Sequence, residues 1–147
     1  MIADLQRVAQ ARVQVRDEIV GEIGRGLLVL LCAVKGDTES DADYLAKKVV
    51  QLRVFGDGDG KMNCSVADVA GGVLVVSQFT LAASVRRGNR PSFSDAEAPE
   101  RARDLYERVI TRLRESGIPV ATGTFAETMQ ISLVNDGPVT IIADSRE

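Results

Sequence analysis

The sequence contains no histidine, and it has only two cysteines among its 147 residues. The absence of histidine excludes a Ser-His-Asp or Cys-His nucleophile system, a histidine-ligated metal and an imidazole pH switch. Cys32 and Cys64 cannot supply the four ligands of a structural zinc site, and a disulfide framework usually needs more cysteines. An enzyme of this composition must work with carboxylates, hydroxyls, backbone groups or the substrate itself, so we expect no metal and no cofactor.

Long apolar segments are also missing. The longest apolar run, residues 27–34, is far shorter than the ~20 residues that cross a bilayer. Residues 1–7 include an early acid and lack the apolar centre of a signal peptide. The net charge of −3 argues against a broad nucleic-acid-binding surface, but it allows contact with one short RNA end. We therefore expect a cytoplasmic protein with no membrane partner and no DNA partner.

Hydrophobic periodicity predicts strands at both ends of the chain. Residues 11–16 alternate apolar and polar side chains, which is typical of a half-buried strand, and residues 19–23 are its expected hairpin partner. The continuous apolar run 27–34 predicts a strand that is buried on both faces. Further strands are predicted at 53–55, at 73–77 and within 119–144, with a break at 135–138.

Two amphipathic helices are predicted between these strands. The first covers about residues 38–52, with Asp37 or Thr38 as its cap. The second covers about residues 99–116, because proline suits the first position of a helix and Gly117 suits the position after its end. Two helices and about seven strands predict one sheet-dominated α/β domain over residues 1–147, with the helices on one face.

Two glycine-rich segments are similar to ligand loops but are better explained as turns. Residues 21–26 have the wrong glycine order for a dinucleotide loop, and a strand follows them instead of a helix. Residues 57–60 are similar to the start of a calcium loop, but Met62 and Asp68 stand where an EF-hand needs glycine and glutamate.

Three polar segments are candidates for a site. Ser77, Gln78, Phe79 and Thr80 end a buried strand, a place where a rigid element holds polar groups next to a cleft. Residues 135–140 read Asn-Asp-Gly-Pro-Val-Thr, which on local rules is only a turn. The third segment contains Arg86, Arg87 and Arg90, which suit either a solvated loop or contact with phosphates. The spacing of these arginines does not decide between the two.

The first two of these segments carry a family resemblance. The chain resembles the D-aminoacyl-tRNA deacylases, which proofread chirality in translation, over essentially its whole length. The matching segments are residues 6–8, 21–28, 61–63, 77–81, 90–95 and 132–140. Within them, the sequences Ser-Gln-Phe-Thr at 77–80 and Asn-Asp-Gly-Pro-Val-Thr at 135–140 are the most specific.

The resemblance implies a homodimer of three-layer α/β/β subunits with active sites at the subunit interface. It also implies hydrolysis of the ester that joins a D-amino acid, or glycine, to the 3′-terminal adenosine of tRNA, while L-aminoacyl esters are spared. Ser77, Gln78, Phe79 and Thr80 would line the site, and Phe125 and Met129 would line the adenosine pocket. A cis Gly137-Pro138 bond would reach into the partner's site, with Arg7 and Asn135 in supporting roles.

The chemistry of such an ester fits a protein without histidine. The neighbouring 2′-OH of the ribose can activate or orient the attacking water, and the N–H groups of Phe79 and Thr80 are natural donors to the oxyanion. A nucleophilic Thr80 is the competing mechanism, but the segment supplies no base for it. Three other functions stay open: an editing module that removes L-serine from tRNA, a dimeric module that binds RNA ends without catalysis, and a generic carboxylate-based hydrolase.

Overall fold

The computed structural model describes residues 1–147, and a six-stranded sheet is its main feature. The strands are β1 (Ile2–Val15), β2 (Glu18–Ile23), β3 (Gly26–Cys32), β4 (Phe55–Gly56), β5 (Met62–Cys64), β6 (Gly72–Ser77), β7 (Val120–Thr122) and β8 (Gln130–Asp144). The helices are α1 (Glu39–Gln51) and α2 (Pro99–Glu115), and a 3-10 turn covers Phe79–Ala82. The sheet-dominated α/β class with two helices is therefore confirmed.

Strand β1 organises the sheet. It pairs antiparallel with β3 through residues 2–8, with β2 through residues 11–15, and with β8 along most of its length. Parallel pairing then joins β3 to β6 and β6 to β7. The carboxyl ends of β3 and β6 consequently meet at one edge of the sheet, which is where Ser77 ends β6.

Both faces of the sheet are covered, and the helices lie on one of them. Leu27, Val29 and Leu31 of β3 belong to the larger apolar cluster, together with the buried faces of α1 and α2. Leu28 belongs to a smaller cluster that contains only strand residues. Alternate side chains of β3 thus enter opposite layers, which explains why its sequence is apolar at every position.

Of the two residues predicted to cap α1, Thr38 does so and Asp37 does not. Thr38 is the N-cap, and its backbone N–H donates to Asp41 Oδ2 at 2.8 Å in a capping box. Asp37 instead lies buried and forms an ion pair with the ammonium group of Met1 at 2.9 Å. It also accepts a hydrogen bond from the N–H of Val34 at 2.6 Å, so it joins the end of β3 to the start of the chain.

The predicted strand break at residues 135–138 is wrong. Strand β8 continues from Gln130 to Asp144, but its register against β1 shifts, because Gln6 pairs with Thr140 while Val8 pairs with Asn135. Residues 136–139 therefore lie opposite Arg7 alone and form a bulge in a continuous strand. The predicted strand 53–55 is also shorter than expected, since β4 has only two residues.

No helix of the structure has both the length and the apolar character needed to span a membrane.

Candidate functional site

The four residues predicted to lie at the end of a buried strand are found at the edge of the sheet where β3 and β6 end. Ser77 is the last residue of β6, and the N–H of Gln78 donates to the carbonyl of Leu31 at 2.8 Å. Phe79 and Thr80 begin the 3-10 turn and are exposed. The side-chain amide of Gln78 donates to the hydroxyl of Thr80. An amide N–H cannot accept a proton, so Gln78 is not a base for Thr80.

A mainly apolar cavity of about 590 Å³ opens beside this turn. Its lining includes residues from the carboxyl ends of β3 and β6, from the start of α2 and from the segment between β7 and β8, namely Cys32, Ser77, Gln78, Phe79, Tyr106, Phe125 and Met129. A volume of this size and an apolar wall with a few polar groups are typical of a small-molecule site. Thr80 is not among the lining residues.

Phe125 is held in the wall by aromatic and cationic contacts. Its ring centroid lies 5.6 Å from that of Tyr106, and the guanidinium carbon of Arg103 lies 5.6 Å from the Phe125 ring centroid. The Tyr106 hydroxyl donates to the carbonyl of Val75 at 3.2 Å. Burial raises the pKa of Tyr106 to about 12, so the hydroxyl stays protonated and keeps that bond. The cavity wall is therefore anchored to β6.

The thiol of Cys32 lies beneath the 3-10 turn. It donates to the carbonyl of Phe79 at 3.5 Å and to that of Ala33 at 3.4 Å. Burial is the main cause of the raised pKa of this thiol. A protonated thiol is a poor nucleophile, so Cys32 supports the turn and does not attack a substrate.

The bulge of β8 contains a cis Gly137-Pro138 bond, as the resemblance implied. Arg7 holds this bulge from the opposite strand: its Nε donates to the carbonyl of Asp136 at 2.7 Å, and its Nη1 donates to the carbonyl of Val54 at 2.7 Å. Arg7 thus contacts Asp136, the residue that precedes Gly137 and Pro138.

Asn135 closes the base of the bulge. Its amide nitrogen donates to the carbonyl of Val139 at 3.0 Å, and its amide oxygen accepts from the N–H of Val139 at 3.0 Å. The same nitrogen donates to Gln6 Oε1 at 2.8 Å, and the hydroxyl of Thr140 donates to that oxygen at 2.8 Å. The side chains of Asn135 and Gln6 thus replace the strand pairing that the bulge interrupts.

Within one chain, the bulge does not join the cavity. Gly137 and Pro138 are exposed, and neither they nor Arg7 or Asn135 line it. The structure brings Ser77, Gln78, Phe79, Phe125 and Met129 together and leaves the Gly-Pro segment on a separate surface. No group of three or more His, Cys, Asp or Glu side chains is placed to hold a metal ion.

Comparison with known proteins identifies the family. The model of the family described as D-Tyr-tRNA(Tyr) deacylase matches residues 5–144. The chain belongs to this deacylase family. It is 58% identical over 146 residues to the D-aminoacyl-tRNA deacylase of Persephonella marina, covering 99% of each chain. It is 57% identical over 147 residues to that of Paracoccus denitrificans, covering 100% of this chain and 99% of the other.

Solved structures show the same fold. One described as c-Myc DNA Unwinding Element Binding Protein has a TM-score of 0.92 and 39% identity, with 98% of each chain covered. A probable eukaryotic D-amino acid tRNA deacylase has a TM-score of 0.81 at 20% identity, covering 97% of this chain and 98% of that one. The second likeness supports the fold alone.

Several residues around the candidate site were not singled out from the sequence. Tyr106 fits the apolar stripe of α2, so its place in the cavity wall has no separate sequence signal. Cys32 looks like any other residue of a buried strand. Gln6 was part of a matching segment, but its bonds to Asn135 and Thr140 cross 129 and 134 positions of the chain. Such contacts are visible only when β1 and β8 are paired.

Proposed function

We propose that this protein hydrolyses the ester bond of D-aminoacyl-tRNA and releases the free D-amino acid and tRNA. The observation that carries the proposal is the apolar cavity whose rim is formed by Ser77, Gln78 and Phe79, in a chain that belongs to the deacylase family. Relatives named D-aminoacyl-tRNA deacylase match it over nearly their whole length. The substrate is a cytoplasmic one, and the cytoplasm is the proposed location.

The cavity is proposed to hold the 3′-terminal adenosine. Phe125 offers a flat apolar surface to the base, and Met129 adds an adaptable thioether contact. Because the ring of Phe125 is fixed by Tyr106 and Arg103, it can bind the base without first becoming ordered. The ester on the ribose would then lie at the rim, next to the 3-10 turn.

Hydrolysis is proposed to use the substrate's own 2′-OH to orient the attacking water. The hydrogen bonds of the 3-10 turn begin with the N–H of Leu81, which donates to the carbonyl of Gln78. The N–H groups of Phe79 and Thr80 precede this first bond, so they can donate to the oxyanion that develops on the ester carbonyl. The hydroxyl oxygen of Thr80 already accepts a hydrogen bond from the Gln78 amide. A nucleophilic Thr80 is therefore the weaker alternative.

Selectivity is proposed to come from a second copy of the chain. The Gly137-Pro138 bulge is exposed and braced, yet it lies outside its own cavity, which suits an element that enters the cavity of a partner. Its carbonyl groups would bind the substrate's amino group and occupy the space that an L side chain needs. Glycine has no side chain to exclude, so glycyl-tRNA would also be cleaved.

Deacylation assays on three matched substrates test this function. We expect cleavage of D-Tyr-tRNA and Gly-tRNA, with L-Tyr-tRNA left intact. Equal rates on the D and L esters would contradict the selectivity, and cleavage of L-Ser-tRNA in preference to D-Tyr-tRNA would instead identify an editing module. Tight tRNA binding without cleavage of any ester would indicate a non-catalytic module that binds RNA ends.

A further inference from the structure

Three arginines in the loop of residues 83–92, here called the basic loop, have no partner within the chain. Arg86, Arg87 and Arg90 are exposed and take part in none of the ion pairs. The arginines at positions 101, 103, 108 and 112 of α2 differ, because each lies 2.8–3.1 Å from a carboxylate oxygen. The three charges of the basic loop are therefore free to bind an anion from outside the chain.

The basic loop has an ordered stem. Ser84 and Ser92 exchange two backbone hydrogen bonds, at 2.8 and 2.9 Å, and so form an isolated antiparallel bridge. Gly88 turns the chain at the tip with φ of +64°, a conformation that suits glycine. Arg86 and Arg87 lie on one side of this tip and Arg90 on the other, so all three project from a closed hairpin.

The stem is fastened to the candidate site. The basic loop follows directly after the 3-10 turn, and the N–H of Ala83 donates to the carbonyl of Thr80 at 3.1 Å. Beyond the stem, the ring of Phe93 meets the ring of Phe79 edge-on, with centroids 5.2 Å apart. Thr80 and Arg86 are six positions apart in the chain, a span of at most about 21 Å, which is the length of a few nucleotides.

We propose that the basic loop is a second contact site for tRNA, which binds phosphates of the acceptor end beyond the 3′-terminal adenosine. This inference rests on the proposed function, because it needs an aminoacyl-tRNA whose last nucleotide occupies the cavity. Its effect is on affinity: the phosphates held by the basic loop strengthen the binding of a tRNA whose ester lies at the 3-10 turn.

The chemistry of the loop favours phosphates over bases. Each guanidinium presents a planar set of donors that matches two phosphate oxygens at once. No aromatic residue lies between Ser84 and Ser92, so the basic loop offers no ring on which a base can stack. The contact is consequently independent of the nucleotide sequence. It also explains how an acidic protein with net charge −3 can bind a polyanion through a small local surface.

A triple variant, Arg86→Ala with Arg87→Ala and Arg90→Ala, tests the proposal on two substrates. For D-Tyr-tRNA we expect KM to rise by about tenfold or more while kcat stays within about twofold, because the lost contacts bind ground state and transition state equally. For the D-tyrosyl ester of adenosine alone, which has no phosphate, we expect no change in rate. The slope of log KM against log salt should fall by about 2, since three single-strand contacts are lost.

Two matched variants separate phosphate binding from other effects. Lys47, Lys48 and Arg114 are exposed on the distant halves of α1 and α2, so replacing all three by alanine removes the same charge away from the site. This variant should behave as the wild type. Replacing the three loop arginines by lysine should restore most of the affinity for tRNA, because the charge is retained even though the planar donor set is lost.

The outcomes are distinguishable. An unchanged KM and salt slope in the triple alanine variant would overturn the proposal, as would an equal effect in the distant variant. An equal loss on the adenosine ester would also overturn it, since the basic loop would then act by supporting Phe79. If the wild type cleaves neither substrate, the proposed function fails. The binding of tRNA without an amino acid by the same variants, measured at several salt concentrations, still decides whether the basic loop contacts phosphates.

Discussion

At the scale of single residues, the hydroxyl of Thr80 separates two mechanisms. It accepts a hydrogen bond from the Gln78 amide and has no base beside it, so its removal should not remove the reaction. We expect Thr80→Ala to keep D-Tyr-tRNA deacylation within about tenfold of the wild type in single-turnover assays, with Thr80→Ser as the control. A loss of about a thousandfold or more would identify Thr80 as the nucleophile.

In the proposed function, Arg7 is a residue that positions the bulge of β8. Its two donated bonds, to the carbonyls of Asp136 and Val54, hold the bulge against β1. We expect Arg7→Ala to lower kcat/KM for D-Tyr-tRNA by about tenfold or more, because charge-assisted bonds of this kind are worth about 1.5–3 kcal/mol each. Arg7→Lys should recover only part of the loss, since lysine cannot donate along both directions.

The control for Arg7 is Arg12, which lies on the same strand. Its side chain is about half exposed, and its contact with Glu22 is long at 3.9 Å. Arg12→Ala should therefore leave kcat/KM unchanged. Equal losses in the two variants would contradict a specific role of Arg7 in holding the bulge.

At the scale of elements, an ion-pair cluster joins the two helices. Asp43 of α1 lies 2.8 Å from Nε of Arg108 and 3.0 Å from Nε of Arg112, both on α2. The hydrogen bond from Arg108 is the main cause that lowers the pKa of Asp43 from 3.8 to about 2. Because the pKa is lowered by folding, the pair stabilises the protein above pH 3.8 and the stabilisation is lost as the pH falls through about 2.

A pH series with Asp43→Asn checks this linkage. The variant should be less stable than the wild type in urea unfolding at pH 7, by a small amount because the pair is partly exposed. The difference should shrink between pH 4 and pH 2. A difference that stays constant over this range would show that the charge of Asp43 is not its cause.

Asp37 also joins elements, but its ion pair is buried, whereas that of Asp43 is partly exposed. Its carboxylate and the Met1 ammonium are fully buried, and the pair connects β3, α1 and the start of β1. Removing one partner of a buried pair leaves an uncompensated charge, so Asp37→Ala should lower the free energy of unfolding by about 3–5 kcal/mol in urea. The exposed Asp59→Ala is the control and should stay within about 0.5 kcal/mol of the wild type.

The elements also show what could be predicted from the sequence. Helices α1 and α2 were predicted to within one residue at each end, because their apolar stripes and terminal residues are local signals. Local sequence rules do not place Tyr106 in the cavity wall, because it comes next to Phe125 only when α2 packs on β6. Phe125 and Met129 were predicted to line a pocket from the family resemblance alone. The continuity of β8 through residues 135–138 also depends on its pairing with β1, and a Gly-Pro pair locally favours a break.

At the scale of the whole molecule, the separation of cavity and bulge predicts an obligatory dimer. Leu133 and Val134 before the bulge and Ile142 after it are 40%, 49% and 60% exposed, so apolar side chains on both sides of the bulge are open to a partner. We expect light scattering to show a dimer, and Ile142→Asp to give a monomer without deacylase activity. An active monomer would contradict the contribution of a second copy.

Mixing two inactive variants tests whether the bulge of one subunit completes the cavity of its partner. A methyl group added at Gly137 would lie 2.3 Å from the nitrogen of Val139, so Gly137→Ala should disable the bulge. Phe79→Ala should disable the turn at the cavity rim. If each bulge serves the partner's cavity, subunit exchange between the two variants should restore about a quarter of the wild-type activity. No recovery after confirmed exchange would show that bulge and cavity act within one chain.

The bulge of β8 has one more consequence, for change over evolution and in the laboratory. Strand pairing resumes on both sides of it, at Gln6 with Thr140 and at Val8 with Asn135, so its two ends are fixed by the sheet. Side chains between these ends, apart from the tightly packed Gly137, can be exchanged without moving the register of β1 against β8 on either side. The fold thereby holds a short variable tip on a rigid base, and if this tip selects the ester as proposed, we expect the range of accepted esters to change with little effect on the sheet.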